Sequence, residues 1–297
     1  MLGKIFRYMT DSAYRFSVNA ILGFYDGWSD EKYLRAQYRL QVGEELDLDN
    51  PKNFAEKIQW LKIHDRKPEY NKLVDKYEAK LFAAKLIGEK YIVPTLGLWN
   101  NFDEINFDEL PQRFVLKCTH DSGGVFIVEE KSNFNRDAAK KLLTRHLKRN
   151  LYRYGREWVY KDVPPRLIAE KFLESDIRDY KFFCFGGKPE YCQVISDRHS
   201  GETIDFFDMN WTHQEFIGLN VNVVNSAKPI DCPKNFELMK KFAGILAADS
   251  IFRRIDFYEV EGQLFFGEIT FFPKSGFGKF KPDKWNKILG DMIKLSR

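Results

Sequence analysis

The chain has 297 residues, 44% of them hydrophobic and 16% aromatic, enough for two domains or one large fold with a full core, which argues against a disordered chain. Forty-seven Lys and Arg against 43 Asp and Glu leave a net charge of +4, too small a surplus to mark a nucleic-acid binder. Cys118, Cys184, Cys192 and Cys232 form no CxxC pair and no run of 18 apolar residues occurs, so a zinc or redox centre and a membrane span are not expected, and a cytoplasmic setting with reduced thiols is.

Up to about residue 50, aromatics and arginines such as Tyr14-Arg15-Phe16 and Tyr33-Leu34-Arg35-Ala36-Gln37-Tyr38 have a spacing that fits one or two amphipathic helices, either a cap on the main domain or a docking element for a membrane or partner. Asn53 and Glu56, at capping-box spacing before Ile58, Trp60 and Leu61, predict a helix start. Apolar positions recur helically from Leu73 to Ile87, Gly88 closes that helix, and Tyr91 to Pro94 reads as a short strand. Phe114 to Cys118 and Val125 to Val128 are expected to pair as a hairpin with a glycine tip, followed by a basic helix over 137–154 and a strand over 166–173. Tyr180 to Phe185 and Tyr191 to Ile195 predict a second pair turned at Gly186-Gly187, and His199 to Cys232 reads as short strands and loops. A helix over 236–248 and a last hairpin, Arg254 to Val260 with Leu264 to Phe272, complete an α+β pattern.

That last hairpin carries the strongest chemical signal. With its loop centred on Gly262, Asp256 stands opposite Glu268 and Arg254 opposite Thr270, all on one face. Two facing carboxylates repel unless a cation or proton lies between them, and a hard ion such as Mg²⁺ with phosphate oxygens suits them. A solvated cross-strand pair is the alternative. Lys117 ends a buried-type strand just before His120-Asp121-Ser122-Gly123-Gly124, where an ammonium and glycine-tip amides can meet phosphate; an ordinary turn would look the same. Lys76 opens a helix where a cation is unfavourable, a modest hint of an anionic partner. In Glu170-Lys171-Phe172-Leu173, extended backbone can meet an adenine edge.

The order Asp75-Lys76, Phe114-Val-Leu-Lys117 with its glycine hairpin, Ala169 to Leu173, Arg254-Ile-Asp256 and Gly267-Glu268-Ile-Thr270 resembles the ATP-grasp superfamily. Asn50 to Trp60, Asp179 to Pro189 and Phe271 to Phe277 are similar to its teichuronopeptide-biosynthesis (TupA-like) branch, found in pathways for capsular and other cell-surface polysaccharides. The resemblance implies an ATP-grasp fold, two α+β subdomains clasping ATP: a helical extension over 1–70, a phosphate-clamp subdomain over 71–165 and a metal-bearing subdomain over 166–297. It implies Lys76 and Lys117 on ATP phosphates with Ser122, Gly123 and Gly124 closing over them, Glu170 to Leu173 at the adenine, Asp179 near the ribose, and Asp256, Glu268 and Thr270 at Mg²⁺. Many relatives carry Asn where this chain has Thr270. The implied reaction is an ADP-forming amide ligation through an acyl phosphate, with Lys117 and Lys76 holding the developing charge; Arg254, on the face of Asp256, is the expected catalytic cation for the tetrahedral species that the amine forms.

The substrates the resemblance suggests are a uronic-acid-containing saccharide and an amino acid or amine, with no nucleic acid and a possible peripheral contact with membrane-bound polysaccharide machinery. The bases and aromatics between Lys140 and Lys161 read either as a site for an anionic glycan or as a solvated helical face. A glycosyltransferase using the DxD-like Asp47-Leu48-Asp49 is the rival enzyme, although those acids also suit a helix start. A non-catalytic carbohydrate-binding module is the other rival, and it leaves the facing carboxylates without a purpose.

Overall fold

In the computed structural model, which describes residues 2–174, 177–198, 200–248 and 250–295, the aromatic-rich start forms three helices: α1 (Leu2–Thr10), α2 (Ser12–Ile21) and α3 (Asp30–Val42). Short polar caps separate them: Asp11 accepts the Tyr14 N–H, Ser29 accepts the Lys32 N–H, and Gly43 ends α3 in the left-handed region. They enclose a small core of Phe16, Tyr33, Leu34, Tyr38, Leu46 and Leu48. On α1, Ile5, Phe6 and Met9 remain exposed.

The next helix, α4 (Phe54–His64), begins with the expected capping box, a device worth about 1 kcal/mol. Its Phe54 packs edge-on to Phe252 and Phe280, so α4 belongs to the main core and not to the helical extension. The expected helix from Leu73 is broken into α5 (Tyr70–Val74) and α6 (Lys76–Ile87), because Asp75 turns extended and caps α6 through the Tyr77 and Glu78 N–H groups. Ile92 makes only an isolated bridge to Phe266, and the strand anticipated at 91–94 starts later, as β1 (Thr95–Trp99).

Strands β2 (Phe114–Cys118), β3 (Val125–Val128) and β4 (Leu167–Lys171) join β1 in a four-stranded antiparallel sheet of order β1-β4-β2-β3. The expected division at 165/166 therefore does not separate the sheets, since β4 pairs with β1 and β2 on its far side. Helix α7 (Arg136–Leu147) covers this sheet through Ala139 and Leu143. The basic helix expected over 137–154 ends at Leu147, and Asn150 caps a separate α8 (Leu151–Gly155).

The larger sheet has the order β11-β10-β5-β6-β7-β8, built from β5 (Asp179–Phe185), β6 (Lys188–Ser196), β7 (Thr203–Asp208), β8 (His213–Gln214), β10 (Phe252–Val260) and β11 (Gln263–Thr270). Strand β9 (Ile217–Leu219) pairs instead with β12 (Lys279–Lys281). His199, at the head of the loop-rich stretch, lies outside the described residues. Helices α9 (Phe236–Ala247) and α10 (Lys284–Met292) add Met239, Phe242, Leu246 and Leu289 to the main core. Phenylalanines line both sides of this core, and each fully buried one contributes about 2 kcal/mol or more.

Candidate active site

The β10–β11 register arises from a tight turn and a bulge. Val260 pairs with Gln263 across Glu261 and Gly262, both at positive φ, as a two-residue hairpin turn requires. One residue is then inserted at Gly267, where a Cβ would lie 3.0 Å from the Asp256 carbonyl oxygen. Beyond that bulge Asp256 faces Glu268 and Arg254 faces Thr270, the pairing expected from sequence. Ile255, Phe257, Phe266 and Ile269 are buried in the core, which anchors the opposite face.

Two cations sit on the carboxylate pair. Arg254 donates from Nε and Nη2 to the Asp256 oxygens at 2.7 Å each, and from Nη2 to Glu268 Oε1 at 2.9 Å and Thr270 Oγ1 at 3.0 Å. Lys181 is Asp256's partner across β5, and its ammonium contacts both Asp256 and Asp179. Asp179 also binds Arg198. Burial pushes the Asp256 carboxyl up, against the pull of Arg254 and Lys181. Burial acts likewise on Glu268, but Lys181, Arg254 and Lys76 outweigh it and hold that carboxyl at about 2.

The small sheet supplies the other wall. Glu170, only 5% exposed, lies between the ammonium groups of Lys80 and Lys117, each 2.5 Å from one of its oxygens. Burial pushes Glu170 up, yet the two lysines hold it at about 2. Lys80 is further fixed by the Val93 carbonyl at 2.8 Å. The Lys76 ammonium donates to the Asp121 carbonyl at 2.5 Å, tying the start of α6 to the glycine loop. Its pKa is drawn down by burial, with Glu268 opposing. Asp121 in turn contacts His146 and Arg149.

Between the walls lies a cleft of about 800 Å³, a size suited to a nucleotide-scale ligand. Lys76, Lys117, Ser122, Gly123, Glu170, Lys171, Phe172, Leu173, Asp179, Arg254, Glu268 and Thr270, all singled out from sequence, line it. Gly124 does not: a Cβ there would lie 3.0 Å from Cys118 Sγ and from His146 Cβ, so this glycine serves close packing. Asp256 is fully buried beneath the wall, bonded to Arg254. The Lys171 N–H is taken by the Pro94 carbonyl at 2.9 Å, so that donor does not face the cleft. Glu170 turns its carboxylate to Lys80 and Lys117.

Among the described residues no group of three or more His, Cys, Asp or Glu side chains is placed to hold a metal. Of the expected ligands Glu268 and Thr270 face the cleft, while both Asp256 oxygens are engaged by Arg254 and Lys181; one accessible carboxylate is still compatible with Mg²⁺, an ion commonly held by one or two carboxylates with substrate phosphates completing its shell. Thr270 Oγ1 lies 3.3 Å from Glu268 Oε1 and adds a third hard oxygen.

Lys80 and Lys181 escaped notice in the sequence, because their importance depends on β4 and β5 lying beside elements distant in the chain. The DxD-like triplet is a local turn, with Asp47 Oδ1 accepting the Asp49 and Asn50 N–H groups. The basic stretch divides. Arg149 and Tyr154 reach the cleft, whereas Arg153 binds Asp26, and buried Arg156 donates to the Tyr25 carbonyl and covers the Tyr33 ring. Those two arginines hold the N-terminal helices in place.

The sequence profile of the TupA-like ATPgrasp family matches residues 56–294. No curated protein sequence matches the chain. Among solved structures, the chain is similar to D-alanine–D-alanine ligase from Bacillus anthracis complexed with ATP, at 19% identity and a TM-score of 0.41, covering 74% of this chain and 63% of that one. Another is N5-carboxyaminoimidazole synthetase from Staphylococcus aureus, at 12% identity and TM-score 0.40, covering 76% and 53%. A third is the ATP-grasp ligase PsnB complexed with minimal precursor, Mg and ADP, at 13% identity and TM-score 0.40, covering 86% and 66%. The chain thus spans about half to two thirds of the length of these three proteins.

Proposed function

Since the chain belongs to the TupA-like ATP-grasp family, we propose that it is an ATP- and Mg²⁺-dependent carboxylate–amine ligase. The observation that carries this reading is the meeting of Glu268 and Arg254 with Lys76 and Lys117 around one cleft, with Asp256 bonded to Arg254 directly behind the wall. Lys76 and Lys117 would hold the ATP phosphates, Ser122 and Gly123 would close over them, and Phe172 and Leu173 would take the adenine, with Asp179 toward the ribose. Asp256, Glu268 and Thr270 would hold Mg²⁺, which when bound neutralises phosphate charge.

In the first step a substrate carboxylate oxygen bonds to the γ-phosphorus and ADP leaves. Lys76 and Lys117 balance the charge carried onto the phosphate oxygens. An amine then attacks the acyl carbon, a proton is lost from nitrogen and phosphate departs. Arg254, at the cleft wall, is the cation available to the oxyanion of that tetrahedral species. No protein nucleophile is needed.

The donor acid in this proposal is a uronic acid of a capsular or other cell-surface polysaccharide, supported by the charged, aromatic rim of Arg149, Tyr154, Lys171 and Arg198. The acceptor is an amino acid or other amine, and the setting is cytoplasmic. No helix among the described residues is long and apolar enough to cross a membrane. The exposed Ile5, Phe6 and Met9, near Lys4 and Arg7, support a peripheral contact with membrane-bound machinery. A matrix of uronic acids and amino acids with Mg-ATP tests the reading. It expects ADP together with a product one amide bond heavier; AMP formation, or no nucleotide turnover with any pair, would refute it.

A further inference from the structure

After β11 the chain enters a loop of unusual conformation. Lys274 (φ 49°, ψ 32°) and Ser275 (φ 54°, ψ 25°) are both left-handed without being glycine, and Gly276 follows at φ 73°. Each such non-glycine residue costs roughly 1–2 kcal/mol, so the neighbours must impose the shape. They do so from below. The buried Lys62 ammonium donates to the Ser275 carbonyl at 2.8 Å, Ser275 Oγ at 2.9 Å, the Gly155 carbonyl at 2.7 Å and Gln59 Oε1 at 2.9 Å. Gln59 Nε2 adds a bond to the same Ser275 carbonyl at 3.1 Å. A Cβ on Gly155 would lie 2.2 Å from Ser275 Oγ, and one on Gly276 2.4 Å from Gln59 Nε2.

The result of this clamping is the display of two opposite charges in the cleft. Lys274 is exposed and lines the cleft, and among the described residues its ammonium has no partner. Glu157 also lines the cleft, close to Ser275, the next residue in the loop. The same Cβ on Gly155 would lie 3.2 Å from Glu157 Oε1, so the Glu157 carboxyl sits beside the clamped loop. Burial pushes the Glu157 carboxyl up, with Lys62 opposing.

We propose that Glu157 and Lys274 form a subsite for a zwitterionic α-amino acid, with Glu157 receiving the ammonium and Lys274 the carboxylate. The inference rests on the ligase reading and names the class of amine used in its second step. A simple amine would fill only half of the site. Lys62 is then a positioning residue that holds the loop beneath both charges.

The test is binding, so that it does not depend on turnover. The common α-amino acids and their α-carboxamides are titrated by calorimetry into the protein with Mg-ADP. At least one amino acid is expected to bind about tenfold more tightly than its amide, as a charge-assisted contact gives. Lys274→Met, which removes an exposed side chain and leaves the Lys62 clamp intact, should bring that ratio within twofold, and Glu157→Gln should weaken acid and amide alike. If no amino acid binds, or if Lys274→Met leaves the ratio unchanged, the subsite is refuted. Binding that persists without ADP release from any acid would count against the ligase reading while upholding the subsite.

Discussion

The two walls of the cleft solve different electrostatic problems. On the small sheet one acid, Glu170, is shared by Lys80 and Lys117, with Lys76 close by on α6; positive charge is in excess there, which favours an anion. On the large sheet Asp256, Glu268 and Asp179 are matched by Lys181, Arg254 and Arg198. Charge there is near balance and the carboxylates crowd together. One wall thus presents uncompensated positive charge that favours an anion, and the other holds its acids together by pairing each with a cation.

Breaking the balanced wall should have the largest effect. Asp256→Asn removes the fully buried charge that Lys181 and Arg254 share, and ADP release should fall about a thousandfold. Urea titration should also show a loss of about 3–5 kcal/mol, since two buried cations lose the acid they share. Breaking the positive wall is milder for turnover. Glu170→Gln leaves Lys80 without its counter-ion and frees Lys117 to move, so about 3 kcal/mol of stability should go and KM for ATP should rise about tenfold.

Acid sharpens the comparison without mutation. Glu170 is held near 2 in the folded protein against an ordinary 4.5, so its ionised form contributes stability above pH 4.5 that disappears as pH falls toward 2. That contribution is about 3 kcal/mol at most, read as a Tm that falls between pH 4.5 and 2 and falls less in Glu170→Gln. Glu268 shifts the same way, but its side chain is 43% exposed along the cleft and water screens its share. Smallest at the site itself is Arg156→Ala. It should cost about 2 kcal/mol by loosening the N-terminal helices, with Mg-ATP affinity unchanged within twofold.

How far the sequence could be read follows from how local each feature is. The facing pairs of the β10–β11 hairpin were legible because a glycine turn, strand alternation and an apolar opposite face act within about twenty residues. The centred loop reached the right pairing without showing the bulge at Gly267, whose need for a glycine comes from the close Asp256 carbonyl. The capping box at Asn53 was legible for the same reason. Lys181 was not, because its role needs β5 and β10 to be neighbours although 75 residues separate Lys181 from Asp256. Arg156 looked like part of a charged run until its burial against Tyr33 was seen. Lys274 stood in a motif already noted, but its exposure depends on a loop shape imposed by α4, more than 200 residues away in the chain.

The most direct test of the central claim is calorimetric titration of ATP at increasing magnesium, comparing the wild type with Glu268→Gln. The account predicts that magnesium tightens ATP binding to the wild type at least tenfold, and that the variant loses most of that gain while keeping its magnesium-free affinity through Lys76 and Lys117. Equal magnesium dependence in both proteins, or none in the wild type, would contradict it.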